Sequence, residues 1–332
     1  MMKAIIPVAG AGTRLRPLTY TQPKPLIPVA GKPIISFIID QLLESGVEEF
    51  VFIIGYLGEK IKLYVEEQYP NLKMAFVSQK EREGSGHAIW TARKVLKDVE
   101  EAIIVFGDSI IEIDLEKFLA TEHSCLAIQK VEEPRDFGIV EFDDDGNVVK
   151  LVEKPKIPKS NMAMVGLYKV KKFPLLLKSL SHIIKNNRRT GAEFPLTDGL
   201  MRMIDKGVPF ETMGVNNWYD CGKISILLET NATLLDKKGY ASANLPLYDN
   251  TIVINPVSIG KDCVIENSII GPHVTIGENT TINYSIVKNS IIGNYAAIKE
   301  VVLQNSVVGN DAGITGLRQS LNIGDNTEID FS

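Results

Sequence analysis

The residues able to do chemistry sit in a few short segments. Near the N-terminus, Val8-Ala9-Gly10-Ala11-Gly12-Thr13-Arg14 places two glycines at the end of the apolar run Lys3–Val8. A loop without Cβ atoms lets the backbone approach a ligand closely and turns N–H groups toward an anion such as phosphate. Position 15 is Leu, which breaks Gly-x-Gly-x-x-Gly, and Gly-x-x-x-x-Gly-Lys-Ser/Thr occurs nowhere. Both common nucleotide fingerprints are therefore missing, which disfavours a dinucleotide oxidoreductase and a P-loop NTPase. Asp108, in Gly107-Asp108-Ser109, follows the apolar run Ala102–Phe106. A carboxylate at the carboxyl end of a strand lies where open α/β sheets bind ligands. It suits Mg²⁺, a hard cation that takes one or two protein carboxylates and completes its shell with phosphate and water. Cys125, Cys221 and Cys263 are odd in number and far apart, and His87, His123, His182 and His273 are scattered. That pattern indicates no disulfide framework, no thiolate or zinc site and no histidine-activated nucleophile.

The glycine loop continues as Gly12-Thr13-Arg14-Leu15-Arg16-Pro17-Leu18-Thr19, then Pro23-Lys24-Pro25-Leu26 and Gly31-Lys32-Pro33-Ile34. This run resembles the signature of the sugar-1-phosphate nucleotidylyltransferases, the nucleotide-sugar pyrophosphorylases. Further segments resemble the same family in the same order: Gln79 through Ala88, Gly107-Asp108-Ser109, Glu153-Lys154-Pro155 with Met164-Val165-Gly166-Leu167-Tyr168, and Trp218-Tyr219-Asp220-Cys221-Gly222. The resemblance implies that Arg14, Lys24, Asp108, Lys154 and Asp220 carry catalysis, with Asp108 and Asp220 holding Mg²⁺. It assigns nucleotide binding to Ala9, Gly10, Gly12, Thr13, Gln79 and Gly84, and the sugar pocket to Gly138, Glu153 and Val165. A side-chain amide both donates and accepts hydrogen bonds, so Gln79 suits the N3–H and O4 edge of uracil or thymine. His87 is expected only to open the next helix, and Cys221 to be a packing residue.

The implied reaction joins an NTP to a sugar-1-phosphate, giving an NDP-sugar and pyrophosphate. Gly12–Thr19, Glu153–Pro155 and Val165–Tyr168 match the long-form glucose-1-phosphate thymidylyltransferases, which favours dTTP or UTP with glucose-1-phosphate. Gly84-Ser85-Gly86-His87-Ala88 is also similar to uridylyltransferases, and Lys130-Val131-Glu132-Glu133-Pro134 to mannose-1-phosphate guanylyltransferases, so GTP with mannose-1-phosphate is an alternative. A noncatalytic, nucleotidylyltransferase-like regulatory subunit is a second alternative. The presence of all five charged residues argues against it.

These side chains must be positioned by a scaffold, and before residue 250 apolar strands alternate with amphipathic stretches, the pattern of an α/β domain. Strands are predicted at Lys3–Val8, Phe50–Ile54, Met74–Ser78 and Ala102–Phe106, and helices at Ile34–Ser45, Glu59–Gln68, His87–Leu96, Pro195–Lys206 and Lys223–Lys237. Asp143-Asp144-Asp145-Gly146-Asn147 reads as the turn of a hairpin between Gly138–Phe142 and Val148–Glu153. The resemblance implies a Rossmann-like (GT-A-like) mixed sheet with helices on both faces.

The remainder differs in kind. Residues 251–332 hold 4 Lys/Arg and 8 Asp/Glu but 24 Ile/Val, 10 Asn and 8 Gly. Isoleucines recur at 259, 265, 270, 276 and 282, again at 292 and 298, with a similar step from Val308 to Ile314. A six-residue period with occasional fives, and Gly after the anchor, suits a β-helix in which Gly or Asn takes tight corners. It resembles the hexapeptide-repeat left-handed β-helix, which supplies the handedness. The expected domains are 1–238, catalytic; 239–250, linker; and 251–332, β-helix. A homo-oligomer built through the coil stack is expected. With 36 basic and 41 acidic side chains the net charge is −5, which argues against nucleic acid as a partner. The absence of a long apolar run argues against a membrane, and a reducing cytoplasm is the expected location.

Overall fold

The computed structural model describes residues 2–316 and Thr327. Two compact units emerge, Met1–Thr230 and Asn231–Ser332. In the first unit the elements are β1 (Lys3–Val8), β2 (Pro28–Val29), β3 (Lys32–Pro33), α1 (Ile34–Glu44), β4 (Glu49–Ile54), α2 (Gly58–Gln68), β5 (Lys73–Ser78) and α3 (Ser85–Thr91). They continue as β6 (Glu101–Val105), β7 (Ser109–Glu112), α4 (Leu115–Leu119), β8 (Ser124–Lys130), β9 (Gly138–Phe142), β10 (Val148–Glu153) and β11 (Met162–Lys171). Then come α5 (Phe173–Lys185), α6 (Leu196–Ile204), β12 (Phe210–Gly214), β13 (Asn217–Asp220) and α7 (Ile224–Asp236), whose residues from Asn231 onward fall in the second unit.

A nine-stranded mixed sheet forms the centre, ordered β10-β9-β11-β6-β1-β4-β5, with β8 also paired to β11 and β12 to β8. The pairs β1–β4, β1–β6 and β4–β5 are parallel, whereas β11 runs antiparallel to β6, β8 and β9. Period-two alternation along β1 and β4 divides the core between the two faces. Ile5, Val51 and Ile53 pack with residues of α3, α5 and α6, while Ala4, Ile6, Phe50 and Phe52 pack with residues of α1, α2 and α4. In α1 the buried Ile34, Ile35, Ile38, Ile39 and Leu42 recur at helical spacing and make one apolar stripe.

Two long elements escaped the sequence reading. β11 is ten residues with its interior positions all buried, so it carries no alternation. α5 buries Phe173, Leu176, Leu180 and Ile183, a spacing masked by the adjacent Leu175, Leu177 and Ile184.

The second unit winds short parallel strands into three four-stranded sheets. Ile252 pairs with Ile269, Ile269 with Ile286 and Ile286 with Val302, so a coil takes 17 residues twice and then 16. Ile265, Ile270, Ile276, Ile282, Val287, Ile292 and Ile298 are buried inside. These stacked coils form the left-handed β-helix.

The corners meet the expectation at the asparagines and at Gly271, whose φ is +104°, but not at every repeat glycine. Left-handed backbone falls on Asn267, Asn279, Asn289 and Asn305, and also on Tyr284, Tyr295 and Glu300, whereas Gly260, Gly277 and Gly293 have no positive φ. Those glycines serve close approach between coils. A Cβ on Gly277 would lie 2.6 Å from the Asn294 backbone nitrogen, and one on Gly260 2.7 Å from that of Glu278. Repeat positions at 317–326 and 328–332 lie outside the described residues. Among the described residues no helix is long and apolar enough to cross a membrane.

Candidate active site

The carboxyl ends of β1, β5 and β6 open into a cleft of about 560 Å³ in the first unit. Arg14, Lys24, Asp108, Lys154 and Asp220 all line it, as do Ala9, Gly10, Gly12, Thr13, Gln79, Gly84, Gly138, Glu153 and Val165. The fold thus brings together residues drawn from positions 9 to 220.

Lys24 sits deepest among the cations. Its ammonium donates to Asp108 Oδ2 at 3.0 Å and lies 3.7 Å from Asp220 Oδ1. Asp108 stands just past β6, and β13 presents Asp220 through its antiparallel pairing with β7, where Asp220 lies opposite Ser109. One strand pair therefore aligns two acidic motifs that are about 110 residues apart in the chain. Burial pushes the Asp220 carboxyl above the usual carboxylate range; Lys24 opposes the rise, Asp108 adds to it, and Arg14 opposes it again. Two carboxylate oxygens already converging on one ammonium make a donor set that fits a divalent cation completed by phosphate and water. Among the described residues no group of three or more His, Cys, Asp or Glu is placed to hold a metal. A two-carboxylate site remains compatible with that.

The glycines have distinct physical reasons. Gly12 takes left-handed backbone, and its carbonyl accepts from Thr19 Oγ1 at 2.8 Å. Gly107 follows β6 so closely against β1 that a Cβ would lie 2.2 Å from Val8 Cγ1. At Gly138 a Cβ would meet Met164 Cε at 2.6 Å and Glu153 Oε2 at 3.1 Å, so glycine keeps the Glu153 carboxylate accessible. Glu153 is held by Thr197, whose hydroxyl donates to Oε2 at 2.5 Å. Lys154 adopts left-handed backbone, and its N–H donates to Phe137 O at 3.0 Å.

Gln79 is 4% exposed. Its Nε2 donates to Gly84 O at 3.2 Å and lies 3.0 Å from His87 Nδ1. Both amide hydrogens are thereby engaged inside the protein, which corrects the expectation that this side chain would donate to a base as well as accept. His87 is also more than a helix opener: it is buried and faces Gln79 and Glu83. Cys221 is fully buried, and burial pushes its thiol up to about 12, as expected of a packing residue.

Residues that motif reading missed complete the walls. Tyr168, with its hydroxyl pushed well above the usual range by burial, Glu153 and Asp108, lines the cleft beside Phe106. Phe137 and Trp218 pack edge to face with centroids 4.9 Å apart. Thr197 and Glu193 arrive from the segment entering α6. Single aromatics and threonines carry no spacing signal. Tyr168 and Trp218 lay within quoted motifs, without a role assigned to them.

Comparison with known proteins accords with this geometry. Residues 3–237 match the nucleotidyl transferase family. The chain is 35% identical to the bifunctional protein GlmU of Methanocaldococcus jannaschii over 88% of its own length and 73% of that protein. It is 29% identical to a glucose-1-phosphate thymidylyltransferase of Streptomyces griseus, covering 90% of this chain and 89% of that one. A crystal structure of UDP-glucose pyrophosphorylase with UDP-glucose superposes with a TM-score of 0.62 at 25% identity, over 72% of this chain and 100% of the other. The agreement of fold, cleft and sequence leads to one assignment: the chain belongs to the nucleotidyl transferase family, among the sugar-1-phosphate nucleotidyltransferases.

Proposed function

We propose that the protein transfers a nucleotidyl group from dTTP or UTP to glucose-1-phosphate, releasing pyrophosphate, with Mg²⁺ held by Asp108 and Asp220. The observation that carries this reading is the convergence of Lys24, Asp108 and Asp220 at one point of a cleft also lined by Arg14, Lys154 and the glycine loop. The attacking phosphate oxygen is already anionic near neutral pH, because a phosphate monoester has a second pKa of ~6. The protein then needs no general base. Its task is to bring two anions together in line and to stabilise the charge on the leaving pyrophosphate.

Arg14 and Thr13 follow the glycine loop and take the triphosphate, with the loop backbone approaching it closely at Gly10. Lys24, anchored by the two aspartates, presents a fixed positive charge toward the phosphates. Lys154 is directed by its left-handed backbone toward the sugar phosphate, and Glu153, fixed by Thr197, accepts from sugar hydroxyls beside Gly138 and Val165. A bound Mg²⁺ would supply neutralisation of phosphate charge. Such preorganised charge costs no reorganisation at the moment of reaction.

Supporting the pyrimidine preference is the acceptor that Gln79 leaves for a base. The names of relatives, a thymidylyltransferase and a UDP-glucose pyrophosphorylase, point the same way. The same reading takes the enzyme to be a cytoplasmic homo-oligomer joined through the β-helix. A matrix of NTPs against sugar-1-phosphates with Mg²⁺, followed by pyrophosphate release, tests the assignment. We expect the largest kcat/KM for dTTP or UTP with glucose-1-phosphate; fastest turnover with GTP and mannose-1-phosphate would replace it, and no release with any pair would remove it.

A further inference from the structure

The hydrogen bonds behind Gln79 carry an inference that rests on the proposed nucleotide site and deepens it. Gly84 O is a carbonyl and can only accept, so the Gln79 atom 3.2 Å from it must be the NH₂ group. Gly84 O also accepts from the Ala88 backbone N–H at 3.1 Å, which holds it in place at the start of α3. The second amide hydrogen points at His87 Nδ1, 3.0 Å away. That nitrogen must therefore accept, and the ring proton sits on Nε2, which faces Glu83 Oε2 at 3.5 Å. Glu83 is tied in turn to Arg189 at 2.5 Å, and its carbonyl accepts from Phe194 N at 2.7 Å. Arg189 stacks over the Phe194 ring at 4.1 Å.

The relay runs Arg189, Glu83, His87, Gln79, and only its last member lines the cleft. With both amide hydrogens engaged, Oε1 is the one polar atom of Gln79 left for a ligand, with no partner among the described residues. We propose that His87 is a positioning residue for base selection: beside Gly84 O, which takes one amide hydrogen of Gln79, its Nδ1 takes the other, so that an acceptor alone faces the base. An acceptor at that place meets the N3–H of uracil or thymine. It opposes the N3 lone pair of cytosine, whose ring nitrogen is itself an acceptor. Selection between pyrimidines is thus set by a histidine that does not touch the nucleotide.

The test measures UTP and CTP binding by calorimetry to the full-length protein and to three variants. One mismatched hydrogen bond at a buried site is worth about 10-fold to 100-fold in affinity, so the unaltered protein should prefer UTP by about tenfold or more. His87→Phe keeps a ring but removes one of the two acceptors that hold the amide, so the hold is left to Gly84 O alone; the preference should fall to within about threefold. His87→Asn places a carbonyl oxygen where Nδ1 stood and should restore a preference of about tenfold. Gln79→Met leaves His87 intact and should abolish the preference, which covers the case of a His87→Phe protein that fails to fold. A UTP preference unchanged in His87→Phe, lost equally in His87→Asn, or absent in the unaltered protein would overturn the inference. Pyrophosphate release by the unaltered protein is scored separately: its absence removes the proposed reaction, whereas the UTP-to-CTP ratio judges the amide alone.

Discussion

Lys24 is the side chain on which the site turns, since its ammonium meets both carboxylates and opposes the rise that burial and the neighbouring Asp108 impose on Asp220. Removing one partner leaves the arrangement unbalanced without touching the core, because Asp108 is half-exposed. Asp108→Asn is accordingly expected to keep the circular dichroism spectrum and lower kcat by about 100-fold or more, the scale at which losing one preorganised charge is felt; near-normal turnover would exclude Asp108 from the reaction. Cys221 makes the opposite case, a residue beside the site that does no chemistry. Thiolates are the reactive form of cysteine, and a thiol pushed up to about 12 and fully buried is protonated at pH 8. Iodoacetamide should leave Cys221 unmodified in the folded protein and alkylate it in urea, read by mass spectrometry of peptides; rapid labelling of the folded protein would contradict its placement. Motif residues such as Asp108 and Lys24 were legible because their neighbours in sequence are informative. His87 was not, because its partner Gln79 lies eight residues back and the distinction between donor and acceptor exists only once the loop at Gly84 has closed.

At the level of elements, the site is positioned by strand ends, and the glycines there do two different jobs. Gly107 lets β6 leave the sheet against β1, where a methyl group would press on Val8, a buried side chain with no free direction. Gly10 has nothing within 4 Å of its Cβ position among the described residues, and its φ is not positive. Gly107→Ala should therefore destabilise by about 1–3 kcal/mol, the usual cost of overpacking, and lower the thermal midpoint. Gly10→Ala should leave the midpoint within the ~0.5 kcal/mol typical of surface substitutions while raising KM for the nucleotide, since the methyl group enters the cleft. Equal melting curves for the two variants would refute this division. Strands β1, β4, β5 and β6 were legible in the sequence because each is a short apolar run followed by a turn or loop. β11 and α5 were not, since a strand buried along its length and a helix flanked by extra leucines both lose the period that identifies them.

Across the whole molecule, the average charge and composition conceal two units built on different periods, and the repeat was legible because a coil of 16 or 17 residues brings an aliphatic inward at every fifth or sixth position. The spacing could not say which residues face outward. Along one sheet of the β-helix, Ile252, Ile269, Ile286 and Val302 stack in register. Ile252 is 60% exposed, Ile286 42% and Val302 72%. A continuous aliphatic stripe with no charge within it is costly to leave in water and marks an association surface. A second copy of the same stripe is its natural complement, since a two-fold interface joins identical patches. We expect the protein to be oligomeric in solution and the pair Ile286→Asp with Val302→Asp to reduce its mass by light scattering to that of a single chain. The inward-facing residues are untouched by these changes, so the β-helix should keep its strand signal in circular dichroism. A folded variant with the mass of the parent would place the oligomer contact elsewhere, and a parent that is already monomeric would leave the stripe without this role.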